Sequence, residues 1–315
     1  MLTVSCLVLL YLFDNITLLP GVNSNIRLFL IRPVLWMGLA LLVRRLPRNR
    51  GTKARRLGKY LNFLALICGL FYLGGMIIGG MLDGFGKSPF AFTLTGVVLN
   101  IIYVSTMLWA SELSRAYLVQ GLTHKNAFWP LLLIGLGYTW LKLSFRTIQS
   151  LETMAEVVDY AGTVVMPVFA ENILTTYLAF LGGAAPALIY QGIVQAITWF
   201  SPVLPDMGWM TKTLLGTLVP FFSTFLVQFM YDLEAGEKKR NYREKENHAA
   251  WFVSSATAVL IIWFAVGLLP VYPAVIVTGS MEPLLKPGDI ALLKKINGPV
   301  QIGDVIHYRQ GEIYI

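Results

Sequence analysis

Charged residues are scarce in this 315-residue sequence: they make up 13% of it, whereas 56% of the residues are hydrophobic. Soluble globular chains carry about 25% charged residues, so this deficit excludes an ordinary soluble domain and predicts a membrane protein. The net charge is +8, which by itself is compatible with nucleic-acid binding. However, the basic residues lie in short runs between apolar stretches, and this pattern favours cytoplasmic loops over a nucleic-acid surface.

Cysteine is nearly absent as well. Cys6 and Cys68 both lie within apolar stretches, where cysteines usually behave as small buried hydrophobic residues. Two such residues form no disulfide framework and no zinc-ligand spacing. The sequence also lacks an H-E-x-x-H zinc motif and a Walker A phosphate loop. We therefore expect no metal site and no cofactor.

Long apolar runs, in contrast, are abundant. A helix needs about 20 apolar residues to cross about 30 Å of hydrocarbon, and this criterion predicts about nine membrane spans. The region 160–200 is ambiguous, because it reads either as a tight helical hairpin or as one span with a re-entrant piece; we count it as a hairpin. The predicted spans are 1–19, 28–43, 60–81, 90–110, 127–143, 160–181, 184–200, 213–230 and 250–270.

The orientation follows from the polar runs. Segment 44–59 has eight basic residues and no acidic one, and the positive-inside rule makes it cytoplasmic. Segment 231–248 mixes both signs, but acidic residues count little in this rule, so it is also predicted to be cytoplasmic. An odd number of spans must then join the outer loop 146–159 to segment 231–248, which favours the hairpin. The last span would deliver Val271 to the external face of the plasma membrane.

The composition changes after Pro270. Short β-branched runs alternate with Gly, Pro and Asp, which predicts strands at 274–278, 290–293 and 305–308. The predicted organisation is thus a polytopic membrane region of unknown role (1–248), a final anchor (249–270) and the start of a β-rich domain (271–315). In the membrane region, Asp14 and Glu171 lie in apolar surroundings and are candidates for an ion or substrate path; Glu171 is equally compatible with a place near the outer interface.

A serine follows the first predicted strand. In the run Val277 to Pro283, Gly279 permits a sharp backbone turn and Ser280 follows at the turn. Such an arrangement can expose a serine hydroxyl at the rim of a sheet. From spacing alone, an ordinary Gly-Ser turn remains the more common interpretation.

Three motifs in fixed order resemble the signal peptidase I family. They are Gly-Ser-Met-Glu-Pro at 279–283, Lys-Pro-Gly-Asp at 286–289 and Ile-Gly-Asp-Val-Ile at 302–306. The similarity is greatest to the endoplasmic-reticulum-type branch, which some bacteria and archaea also have. It covers about residues 272–315. It implies that the β-rich segment is the beginning of an all-β serine peptidase domain, of which residues 271–315 form only the N-terminal part.

The resemblance implies roles for individual residues. Ser280 matches the nucleophile, which would attack the scissile carbonyl and form an acyl-enzyme. Thr278 matches a position whose hydroxyl often donates to the oxyanion, although a plain strand residue is an equal alternative. The other matched positions are implied to be structural: Gly279, Met281, Glu282, Pro283, Gly288, Asp289, Gly303 and Asp304.

The general base of this family does not match any residue of the sequence. It is a Lys in the bacterial branch and a His in the endoplasmic-reticulum-type branch, and its position falls just beyond Ile315. His307 precedes that position, and Lys294 and Lys295 lie in an earlier strand or turn, so none of them is assigned the role. Residues 1–315 alone are therefore expected to be inactive.

The leading hypothesis is a membrane-bound type I signal peptidase that removes signal peptides from secretory preproteins. Its expected partners are these preproteins, the lipid bilayer and, as a further candidate, the secretion machinery; nucleic acid is not expected. A polytopic transporter or membrane scaffold with a non-catalytic β appendage is the alternative. A self-cleaving repressor-type peptidase shares the Ser-Met motif, but such proteins are soluble, so the predicted spans argue against it.

Overall fold

A computed structural model describes most of the chain. The described residues are 2–15, 23–47, 57–90, 92–123, 127–235, 271–275, 290–294, 309–310 and 313–314. The chain divides into two units, Met1–Arg243 and Glu244–Ile315.

The first unit is built from helices. Two π-helical segments, Arg27–Ile31 and Ala161–Val165, lie between consecutive α-helices without interrupting the helical course of the chain. In chain order the α-helices are α1 (Leu2–Asn15), α2 (Ser24–Ile26), α3 (Arg32–Arg45), α4 (Gly58–Asp83), α5 (Leu94–Leu122), α6 (Phe128–Lys142), α7 (Phe145–Gln149), α8 (Met154–Tyr160), α9 (Met166–Gly182), α10 (Ala184–Phe200) and α11 (Trp209–Glu234).

Four helices are long and apolar enough to cross a membrane, which indicates a membrane protein. They are Gly58–Asp83, Leu94–Leu122, Glu156–Gly182 and Trp209–Glu234. The prediction of about nine spans is therefore wrong for the part of the chain that the structure describes. The predicted span 250–270 lies outside the described residues.

Helix length explains the difference in span number. Helices α6 and α10 have 15 and 17 residues, and α1 has 14. At 1.5 Å per residue these helices measure roughly 21 to 26 Å, less than the 30 Å or so of a hydrocarbon core. The predicted break between 181 and 184 is confirmed, because α9 and α10 are separate helices that meet at Gly183. Its φ of 77° is a backbone conformation that favours glycine.

Helices α4 and α11 pack side by side in opposite directions. At one end, Leu57 and Tyr60 belong to the same hydrophobic cluster as Met230 and Tyr231. At the other end, the backbone N–H of Gly208 donates to Asp83 Oδ2 at 2.9 Å. Two short strands extend this second end: β1 (Phe85–Lys87) pairs antiparallel with β2 (Val203–Pro205). The start of α4 and the end of α11 thus lie at the same end of the helical unit.

Two hydrophobic clusters hold the helices together. The first joins α1, α3, α5 and α6 through residues such as Leu39, Val43 and Val119. The second joins α4, α9, α10 and α11 and includes Leu61 and Leu174, both fully buried. Many other large hydrophobic side chains on these helices are exposed, as expected of surfaces that face lipid.

The second unit is described only as short strands. Strand β3 (Val271–Val275) pairs antiparallel with β4 (Ile290–Lys294), and β5 (Arg309–Gln310) pairs antiparallel with β6 (Ile313–Tyr314). The predicted strand at 290–293 is confirmed. The strand predicted at 274–278 instead begins at Val271, and residues 276–278 and 305–308 lie outside the described residues.

The prediction of an all-β domain after the membrane region is also wrong. The described part of this unit contains two separate two-stranded pairs, and helices dominate the described chain. A two-stranded hairpin has too little apolar surface to form a core of its own.

Candidate functional site

Strands β3 and β4 lie on either side of the serine motif in the sequence. In the register of this pair, Val275 lies opposite Ile290, and segment 276–289 lies between these two residues in the sequence. This segment carries Ser280, Thr278, Gly279, Met281, Glu282, Pro283, Gly288 and Asp289. All of these residues, like Gly303 and Asp304, lie outside the described residues.

Local sequence explains why these two strands pair. Strand β3 carries Val271 and Val275, and β4 begins with Ile290; β-branched residues favour extended backbone. Pro273 lies within β3, opposite Leu292. Proline lacks a backbone N–H, so it is tolerated in a strand with one unpaired edge. The whole Ser280 motif thus lies in the sequence between two paired strands.

A second cluster of polar side chains lies within the helical unit. Lys142 Nζ, at the end of α6, is 2.7 Å from Glu171 Oε1 on α9 and 3.3 Å from Gln191 Oε1 on α10. Gln191 Nε2 donates to Glu171 Oε1 at 2.8 Å and to Thr175 Oγ1 at 2.8 Å. Side chains from α6 and α10 therefore contact the same carboxylate oxygen of Glu171 on α9. The carboxylate balances the charge of Lys142. We call Lys142, Glu171, Thr175 and Gln191 the Glu171 cluster.

A third polar cluster joins α5 to α9. The guanidinium of Arg115 contacts both carboxylate oxygens of Glu112, at 2.9 and 3.3 Å. It also donates to the Asn172 side chain at 2.8 Å and to the Thr176 hydroxyl at 2.9 Å, and it lies 4.0 Å from the ring centroid of Tyr138. Both charged side chains are at least 98% buried. Such close pairing of opposite charges is what allows both to exist inside an apolar bundle.

The comparisons with known proteins add nothing to this geometry: no family model, no curated protein and no solved structure matches the chain. Among the residues that the structure describes, no group of three or more His, Cys, Asp or Glu side chains could hold a metal ion.

The sequence had drawn attention to Asp14 and Glu171 but not to Arg115. Asp14 pairs with Arg32 at 2.6 Å, and Glu171 pairs with Lys142, so both acidic residues have basic partners from other helices. Glu112 and Arg115 are spaced three residues apart in an otherwise apolar helix, which is the sequence signal that could have revealed their ion pair.

Proposed function

We propose that the chain is a membrane-bound serine endopeptidase of the signal peptidase type, with Ser280 as its nucleophile. The observation that supports this proposal best is the place of the Gly-Ser-Met-Glu-Pro motif, which lies in the sequence between the two paired strands β3 and β4. Strands are rigid elements on which a catalytic residue can be positioned.

The packing of α4 against α11 supports an external position for this segment. The basic run 44–59 leads directly into α4, and the run 238–245 follows α11 closely. Because the start of α4 and the end of α11 lie at the same end of the helical unit, both basic runs belong to one membrane face. The positive-inside rule makes that face cytoplasmic. The uncharged segment 249–270 would then cross the plasma membrane and leave Val271 outside, where signal peptides are cut.

The proposed reaction is acyl transfer to serine. Ser280 Oγ attacks the carbonyl carbon of the scissile peptide bond, and its proton passes to a His or Lys base beyond residue 315. The backbone N–H of Ser280 and the hydroxyl of Thr278 donate to the developing oxyanion. The base then protonates the leaving amine, and a water molecule hydrolyses the acyl-enzyme.

The substrate in this proposal is the signal peptide of a secretory preprotein, and the secretion machinery would deliver it. A peptide in extended conformation can add through main-chain hydrogen bonds to the edge of strand β3 that has no partner among the described strands. Small residues at the −1 and −3 positions would fit shallow pockets beside the serine, as the family resemblance implies.

The experiment is preprotein processing by variants of the complete gene product at matched membrane levels. Ser280→Ala should abolish cleavage and leave membrane insertion intact, because the change removes the nucleophile alone. Thr278→Val should reduce the rate by about 10²–10³-fold, the effect of losing one oxyanion donor, whereas Thr278→Ser keeps the hydroxyl and should retain most of the activity. Undiminished cleavage by Ser280→Ala would refute the mechanism, and undiminished cleavage by Thr278→Val would remove only the oxyanion role.

A further inference from the structure

We propose that the Glu171 cluster is a water-accessible proton-binding site inside the membrane region, with a function separate from proteolysis. In this proposal Glu171 takes up a proton from water and gives up its ion pair with Lys142.

The first observation is depth. Glu171 lies in the candidate span Glu156–Gly182, roughly 22 Å along the helix axis from its first residue and 16 Å from its last at 1.5 Å per residue. These distances place the carboxylate near the middle of this candidate span. Lys142 is at the same depth, because its ammonium is 2.7 Å from Glu171. Ionisable side chains at such depth are rare and are usually functional.

The second observation is exposure. The side chain of Lys142 is 31% exposed, whereas that of Glu171 is 11% exposed. An ammonium group has three N–H donors, and the described contacts of Lys142 use two of them. Leaving a partly exposed ammonium against lipid chains is energetically unfavourable, so such groups face the interior of the bundle or water-filled cavities. We infer that the exposed part of Lys142 faces water.

The third observation is a buried hydroxyl without a partner among the described residues. The hydroxyl of Tyr190 is fully buried and has no hydrogen-bond partner among the described residues, and Tyr190 and Tyr72 are both within electrostatic reach of the Glu171 carboxylate. Tyr72 also lines a pocket of about 110 Å³ whose wall includes Lys212 near the start of α11. This volume holds a few water molecules.

A π-helical segment forms part of the same pocket. Thr163 lines the pocket and belongs to the π-helix Ala161–Val165, which ends six residues before Glu171. Single-turn π segments inside α-helices occur frequently at functional sites, because the widened turn shifts the side chains that follow.

The charged surroundings of Glu171 determine the effect of protonation. Helix α6 contributes Lys142, α10 contributes Tyr190, α4 contributes Tyr72 and Cys68, and α11 has no titratable residue between Lys212 and Tyr231. On α5, Arg115 and Glu112 neutralise each other. Lys142 is thus the one cation bonded to Glu171 in the described part of the chain.

The proton-transfer step conserves charge. A hydronium ion gives its proton to a carboxylate oxygen of Glu171 and becomes water, and the neutral acid no longer binds the ammonium of Lys142. The lysine keeps its charge and its contact with Gln191 Oε1 and turns towards the water. The cluster therefore changes from neutral to singly positive, which would alter the passage of ions through this part of the membrane.

The first experiment measures water access by cysteine labelling of the complete protein in liposomes. Cys6 and Cys68 are replaced by serine, and a small charged thiol reagent is applied to Lys142→Cys. The matched control is Leu133→Cys on the same helix, because Leu133 is 65% exposed and should face lipid. Position 142 should react at least tenfold faster than position 133, and equally slow reaction at both positions would overturn the proposal. If Lys142→Cys does not fold, the double variant Lys142→Cys/Glu171→Gln is used in its place, because it removes both charges of the ion pair.

The second experiment follows the carboxyl group itself by infrared spectroscopy during acid titration. The C=O band of protonated carboxylic acids should contain a component in the unchanged protein that is missing in Glu171→Gln. A structural role alone would alter the unfolding temperature of this variant without removing a component of the band. Identical bands in the unchanged protein and in Glu171→Gln, throughout the pH range in which both stay folded, would contradict proton binding at this residue.

Discussion

Replacement of Arg115 by methionine is expected to destabilise the helical unit strongly. Methionine preserves much of the apolar stem of arginine but removes the guanidinium, which contacts both oxygens of Glu112 and donates to Asn172 and Thr176. The carboxylate of Glu112, whose side chain is 98% buried, would then have no countercharge in an apolar bundle.

The magnitude follows from the fate of that carboxylate. Breaking a buried ion pair by removing one partner costs about 3–5 kcal/mol, because an uncompensated charge remains. Removing both charges avoids this penalty. In the double variant Glu112→Leu/Arg115→Met, the principal loss is the pairing of the Asn172 side chain, which amounts to about 1–3 kcal/mol for an unsatisfied buried group. The double variant should therefore be more stable than Arg115→Met alone.

The assay is equilibrium unfolding of the purified protein in mixed detergent micelles, with helix content as the signal. Arg44→Met is the matched control: the guanidinium of Arg44 is exposed and lies 5.7 Å from the ring centroid of Trp109, so its loss should have little effect. Equal destabilisation by Arg115→Met and by the double variant would refute the reasoning, because the unpaired charge would then contribute nothing.

Two further predictions concern packing and topology. A Cβ atom on Gly216 would come within 2.8 Å of the ring of Pro167, so Gly216→Ala should lower the free energy of unfolding by about 1–3 kcal/mol. A Cβ atom on Gly137 would meet nothing within 4 Å, so Gly137→Ala should be neutral or slightly stabilising in the same unfolding assay. In a cysteine-free background, Gln310→Cys should react with an impermeant thiol reagent from outside intact cells; reaction only after lysis would place the β segment inside.

The extent of the helices shows how far the sequence could predict the fold. The predicted span 60–81 agrees closely with α4, Gly58–Asp83, because that run is continuously apolar. The predicted span 90–110 falls short of α5, which continues to Leu122. Glu112 and Arg115 resemble the polar end of a span when the sequence is taken alone. Their mutual pairing and their contacts with α9 let the helix continue through them.

The sequence by itself determined the class of the protein and its candidate nucleophile. Low charge and long apolar runs require a lipid environment whatever the packing, and the motif around Ser280 is a matter of residue order alone. The tertiary structure decided the number of long spans and the partners of the buried charges. Lys142 and Glu171 are 29 residues apart, and such a contact depends on the way in which α6 and α9 pack, a property that local hydropathy does not contain.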